Sequence, residues 1–380
     1  MSDDIRPFTI DIPDSAIDDL RERLARTRWP EAEPVDDWSQ GIPLTYTQTL
    51  CEYWATEYDW RRFESELNSY DNCLTEVDGL DIHFLHVRSA HDDATPMILT
   101  HGWPGSVAEF MAVIGPLTDP ANHGGSPADA FHLVIPSLPG YGWSGKPARP
   151  GMGVPWIATA WNTLMVRLGY ESYVAQGGDW GSAVTTTIGS QNLGNVRAIH
   201  TNMPVSGPTP ESLADPTEQE QAALEALGHY DRWDSGYSKQ QSTRPQSLGY
   251  GLVDSPAGQC AWIGEKMWAW TDNDGDPRSA LTFDQMLDNI SIYWFTATAA
   301  SSARLYWESF AQFGDGAVDV PTGCSIFPKE IIRASRRWAA KRYTNIGYWN
   351  DLEMGGHFAA WEQPGLFVAE MRAAFSTLSY

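Results

Sequence analysis

Cysteine is scarce in this chain of 380 residues, which has four, scattered at Cys51, Cys73, Cys260 and Cys324. There is no Cys-x-x-Cys and no Cys/His cluster, so neither a zinc site nor a disulfide framework is indicated, and a reducing cytoplasm is the expected compartment. Positive charge is also short. Lys and Arg total 25 against 49 Asp and Glu, a formal net charge of −24. With no basic stripe to meet phosphates, nucleic acid is excluded as a partner. Anionic membranes and anionic substrates are disfavoured for the same reason. No apolar run approaches a membrane span. The start, Met1-Ser2-Asp3-Asp4, lacks the apolar stretch of a signal peptide. Internal repeats and low-complexity tracts are absent too.

Aromatic residues, by contrast, are plentiful: 18 Trp, 15 Tyr and 13 Phe. Many must be core, yet the supply also suits an apolar pocket with a few polar tips. A neutral small molecule is the natural partner.

Taken in order, residues 1–72 read as helical and irregular. Phe8–Pro13 is a short extended segment, after which Asp14 or Ser15 can cap a helix with Ile17, Leu20 and Leu24 on one face. Arg21, Arg23, Arg26 and Arg28 are expected to face solvent. A second helix is expected from Thr45 to about Leu67. From Cys73 the period changes to two, and Asp78-Gly79 marks a hairpin. Strands at 96–100, 131–135, 173–175 and 196–200 then alternate with helical stretches, which predicts a parallel sheet covered on both faces. The strand pattern disappears from about Pro204 to Ser302, as it would in a helical lid. It returns at Ser325–Phe327 and Tyr343–Trp349. The expected division is an N-terminal extension over 1–72, an α/β core over 73–203, a lid over 204–302 and the rest of the core over 303–380.

One turn organises these elements. Gln176-Gly177-Gly178-Asp179-Trp180-Gly181-Ser182 follows an apolar strand and precedes a helix. This is the pattern of a nucleophile elbow, with Asp where esterases carry Ser. A carboxylate needs no deprotonation at neutral pH, and it suits attack at a saturated carbon to form an alkyl ester. A capping Asp in an ordinary strand–helix turn would look similar. The elbow reading therefore needs an acid and a His further on, each after a strand. His357, in Glu353-Met354-Gly355-Gly356-His357-Phe358, follows the last strand. Glu330, in Phe327-Pro328-Lys329-Glu330, follows the one before it and ranks ahead of Asp351 and Glu353 as the partner of His357. On its own, Glu330 would read as a helix N-terminal acid. In His101-Gly102-Trp103-Pro104, the N–H of Trp103 is placed to join that of Trp180 in an oxyanion hole.

These motifs together resemble the epoxide hydrolases of the α/β-hydrolase superfamily. The likeness is to the branch with the microsomal and juvenile-hormone enzymes and their soluble bacterial relatives. It runs over nearly the whole chain and also rests on Arg28-Trp29-Pro30 and Ser137-Leu138-Pro139-Gly140-Tyr141-Gly142. The resemblance implies an α/β-hydrolase fold with a helical lid and an N-terminal helical extension. It implies attack of Asp179 on an epoxide, then hydrolysis of the ester by water activated by His357 and Glu330. It also implies two lid tyrosines as acids, matched by Tyr237 and Tyr306. By spacing alone, nothing selects these two from 15 Tyr. No cofactor and no metal is implied. An apolar epoxide and water are the expected reactants, and the protein is expected to be soluble. A haloalkane dehalogenase, a cyclase that opens an epoxide with an internal hydroxyl, and a non-catalytic binding protein are the alternatives. The oligomeric state, a homodimer included, stays open, as does a role in detoxification or secondary metabolism.

Overall fold

The computed structural model describes residues 4–310 and 316–378. Residues 1–3, 311–315 and 379–380, parts of the first and last expected segments, lie outside the described residues. Nine strands form one sheet: β1 (Ile5–Pro7), β2 (Asp71–Val77), β3 (Leu80–Val87), β4 (Thr95–Thr100), β5 (Phe131–Pro136), β6 (Tyr173–Gly177), β7 (Val196–Thr201), β8 (Thr322–Ile326) and β9 (Ile346–Asp351). Their order is β1-β2-β3-β5-β4-β6-β7-β8-β9. The first four in that order pair antiparallel, and the rest pair parallel. Every residue of β5, β6 and β8 is buried, as a sheet covered on both faces requires. The hairpin lies where Asp78-Gly79 marked it, with both residues at positive φ.

Several sequence expectations change. The expected helix at Thr45–Leu67 is two, Leu44–Thr56 and Trp60–Leu67. Asp59 breaks it by accepting a hydrogen bond from the Arg61 N–H and capping a new start. A short strand, Ile5–Pro7, pairs with β2 just ahead of the expected extended segment Phe8–Pro13. The following helix begins at Asp14 without a side-chain cap, and the Asp14 carboxylate instead pairs with Arg61. Arg23 lies at the surface as expected, where it pairs with Asp19 and Asp254. The last strand begins at Ile346, three residues later than expected; Tyr343 is instead buried with its hydroxyl on Thr186 Oγ1 at 2.8 Å.

Between β7 and β8 the described residues are mainly helical, and the helix Ala299–Ser309 carries Tyr306. The helix Phe283–Phe295 links the N-terminal segment to the loop after β4. On one side it receives hydrogen bonds from Trp54 Nε1 to Ser291 Oγ, 2.9 Å, and from the Tyr58 hydroxyl to Asp288, 2.8 Å. On the other, Asn289 Nδ2 and the Tyr293 hydroxyl donate to the carbonyls of Pro104 and Gly105, each at 2.7 Å. No helix among the described residues is long and apolar enough to cross a membrane.

Candidate active site

The turn after β6 is as tight as its glycines imply. A Cβ on Gly177 would lie 2.1 Å from the Gly181 carbonyl oxygen, and one on Gly181 would lie 1.9 Å from that of Thr100. Only glycine lets strand and helix approach this closely. Asp179 takes φ +50° and ψ −126°, a strained conformation for a residue with a side chain. Its side chain makes no bond to the helix that follows, so it is not a capping Asp.

The carboxylate of Asp179 is held from two sides. Oδ1 accepts a hydrogen bond from the Trp103 N–H at 2.7 Å. Oδ2 lies 3.5 Å from His357 Nε2. His357 Nδ1 in turn meets Glu330 Oε1 at 2.6 Å. The loops after β8 and β9 are brought together by a backbone bridge between Lys329 and Gly356, which sets this pair. Glu330 also accepts from the Ile331 N–H at 2.8 Å, and its other oxygen lies 3.5 Å from Asn202 Nδ2. Burial would push His357 down. The carboxylates of Glu330 and Asp179 outweigh it and hold the imidazole well above its ordinary range. Trp180 opens the helix Trp180–Gln191, so its N–H belongs to the positive end of that helix.

Tyr237 and Tyr306 stand over this group with ring centroids 5.7 Å apart. Tyr237 stacks on Trp103 at 4.9 Å, and Tyr306 meets Trp180 edge-on at 4.8 Å. The Tyr237 hydroxyl lies 3.0 Å from that of Tyr230. The Tyr306 hydroxyl is buried with no hydrogen-bond partner. Burial pushes both phenols well above their ordinary range, so they stay protonated donors. Both line a cavity of about 680 Å³ together with Asp179, Trp180 and apolar residues such as Met203, Val205, Ile331 and Trp338. All seven residues singled out in the sequence thus meet in one place.

Other neighbours carried no signal in the sequence. Tyr230 is one. Trp270 is another: its carbonyl accepts the His357 N–H at 2.8 Å, and its ring packs on the imidazole at 4.9 Å. Lys266 is buried 4.7 Å from the Tyr237 ring centroid and pairs with Asp234, which also accepts from Trp270 Nε1. Glu109 had a signal that misleads. Ser106-x-x-Glu109 reads as a capping box, yet Ser106 caps Ala108 and the Glu109 carboxyl turns inward against Gly105.

A parallel sheet with a glycine-bound turn after β6, carrying an acid beside a His–Glu pair, defines an α/β-hydrolase with Asp at the elbow. Family comparison narrows this. Residues 5–110 match the family model described as "Epoxide hydrolase N terminus", and 95–246 match "alpha/beta hydrolase fold". The chain is 54% identical over 375 residues to a protein named "Putative epoxide hydrolase" in Stigmatella aurantiaca, covering 98% of this chain and 85% of that one. It is 34% identical over 404 residues to "Epoxide hydrolase 1" of Sus scrofa, covering 97% and 88%. The crystal structure of juvenile hormone epoxide hydrolase from Bombyx mori superposes with a TM-score of 0.90 at 32% identity, covering 98% and 94%. The chain belongs to the epoxide hydrolase family and is a hydrolase whose reactants are an epoxide and water.

Proposed function

We propose that the reaction runs through a covalent ester on Asp179. The observation that carries this is the chain Asp179–His357–Glu330, at 3.5 and 2.6 Å, with Asp179 lining one cavity together with two buried phenols. Oδ1 is occupied by the Trp103 N–H, which leaves Oδ2 to attack an epoxide carbon. The C–O bond of the ring breaks, and the oxygen that leaves as an alkoxide takes a proton from Tyr237 or Tyr306. Alkylation removes the charge of Asp179, so His357 loses one of the two carboxylates that raise its affinity for a proton. It releases its proton to the solvent and, now neutral, takes one from the attacking water; the released proton is regained from the solvent once the Asp179 charge returns. The water oxygen bonds to Cγ of Asp179, and negative charge gathers on Oδ1, facing the N–H groups of Trp103 and Trp180. Collapse breaks the Cγ–Oδ2 ester bond, and His357 returns its proton to the leaving oxygen to give a vicinal diol. The proton left on Asp179 restores the one spent by the tyrosine.

The walls of the cavity favour a neutral, largely apolar epoxide. The four-part division is part of this proposal. In it the lid carries Tyr237, and the helix with Tyr306 reaches past residue 302 into the core. A soluble, cytoplasmic protein fits the same picture. A single turnover in ¹⁸O-water with enzyme in excess tests the route. The label is expected in the Asp179 carboxylate, and label in the diol instead would mean that water attacks the epoxide directly.

A further inference from the structure

A second, smaller cavity touches the site and shares only Asp179 with the large one. His357, Gln176, Asn202 and Glu109 also line it, and its volume is about 20 Å³. A single water needs about 10–15 Å³ and two to four polar partners. The polar groups are present. Gln176 is 1% exposed, and its Oε1 has no hydrogen-bond partner. Its Nε2 is committed to Asn202 Oδ1 at 3.1 Å, and Asn202 reaches Glu330 at 3.5 Å, so the chamber is wired to the partner of His357. The Glu109 carboxyl is packed so closely on Gly105 that a Cβ there would come within 1.5 Å of Oε1. A side chain at 105 and this carboxyl exclude each other. Burial pushes the Glu109 carboxyl up to about 8, so at neutral pH it is an uncharged acid that can both donate and accept.

We propose that Glu109 and Gln176 hold the water that hydrolyses the Asp179 ester, in a chamber separate from the one that admits the epoxide. Both are positioning residues for the second half of the reaction. This rests on the ester route above. The held water gives its proton to His357 Nε2 as its oxygen bonds to Cγ of Asp179, and the ester C–O bond then breaks as already described. Glu109 and Gln176 exchange no net proton. They fix the direction of approach, and delivery from this side leaves the alkyl group undisturbed in the large cavity.

The test separates the two half-reactions. Rapid-mixing single turnovers with styrene oxide give the rate of ester formation and the rate of ester breakdown. For Glu109→Ala, formation is expected to stay close to wild type while breakdown slows by about tenfold or more, the loss of one well-placed hydrogen bond. The ester then accumulates in the intact mass spectrum. Glu109→Gln keeps a neutral polar group of the same size and is expected to recover most of the breakdown rate. Gln176→Met keeps the volume but removes Oε1. It is expected to show the same selective slowing, which keeps the proposal testable if Glu109→Ala does not fold. Formation and breakdown slowing together, or breakdown unchanged in Glu109→Ala and Gln176→Met, overturns the proposal. If His357→Gln forms no ester on Asp179, the ester route itself fails. An ester that forms normally and breaks down without regard to Glu109 and Gln176 sinks only the water site.

Discussion

The Trp103 amide points at Asp179 Oδ1 from 2.7 Å, across 76 residues of sequence. This contact exists because Gly102 has no side chain: a Cβ there would sit 2.1 Å from the same oxygen. The helix Phe283–Phe295 holds the loop from behind through Asn289 and Tyr293. Gly102→Ala should therefore push the Asp179 carboxylate off its donor. A fall in kcat/KM on the order of 10²-fold is expected, the usual cost of one lost oxyanion donor, with circular dichroism unchanged. Activity within twofold of wild type would show that the alignment of Asp179 on this donor is not needed.

The two tyrosines make different predictions for rate and for stability. Either Tyr237→Phe or Tyr306→Phe should slow ester formation on the order of 10²-fold, since each removes a phenol that can protonate the opening ring. Tyr306 has no hydrogen-bond partner to lose, so its change should leave the denaturant midpoint unmoved. Tyr237 loses its bond to Tyr230 and should cost about 0.5–1.5 kcal/mol. Equal stability losses in both variants would contradict this geometry.

His357 titrates well above its ordinary value of 6.5, because Glu330 and Asp179 together overcome its burial. Its proton therefore stabilises the fold most fully below 6.5, and that contribution is lost as pH rises through the raised value. Denaturant stability should fall over that range, and less so in Asp179→Asn, where one carboxylate charge is gone. NMR titration of the imidazole should show a lower pKa in Asp179→Asn than in wild type. An unchanged pKa would remove the switch that turns His357 into a base after alkylation.

Lys266 is 4% exposed and pairs with Asp234 beneath Tyr237. Lys266→Met leaves a carboxylate with no cation in a largely dry site. Breaking such a pair costs about 3–5 kcal/mol, which chemical denaturation would detect. A neutral result would place the pair among those that contribute little.

The elbow was legible in the sequence because its glycines are dictated by backbone contact, and backbone contact leaves a fixed spacing. Glu330 and His357 were legible for a related reason: each follows a strand of a sheet whose order the alternation predicts. Tyr237 and Tyr306 came only from family likeness, since a helical lid imposes no spacing on what points inward. The break at Asp59 was hidden by the aromatic run on both sides of it. Glu109 was hidden because a capping box and an inward carboxyl share one sequence pattern. Trp270 acts through its carbonyl, which every residue has, so its identity gave no clue.

The central claim is the ester, and it is tested most directly in His357→Gln. With its base removed, this variant should react once with styrene oxide and stop. Intact mass spectrometry should show the protein heavier by one epoxide, with the added mass on the peptide containing Asp179. Diol produced at the wild-type rate with no adduct, or an adduct on any other residue, would contradict the account.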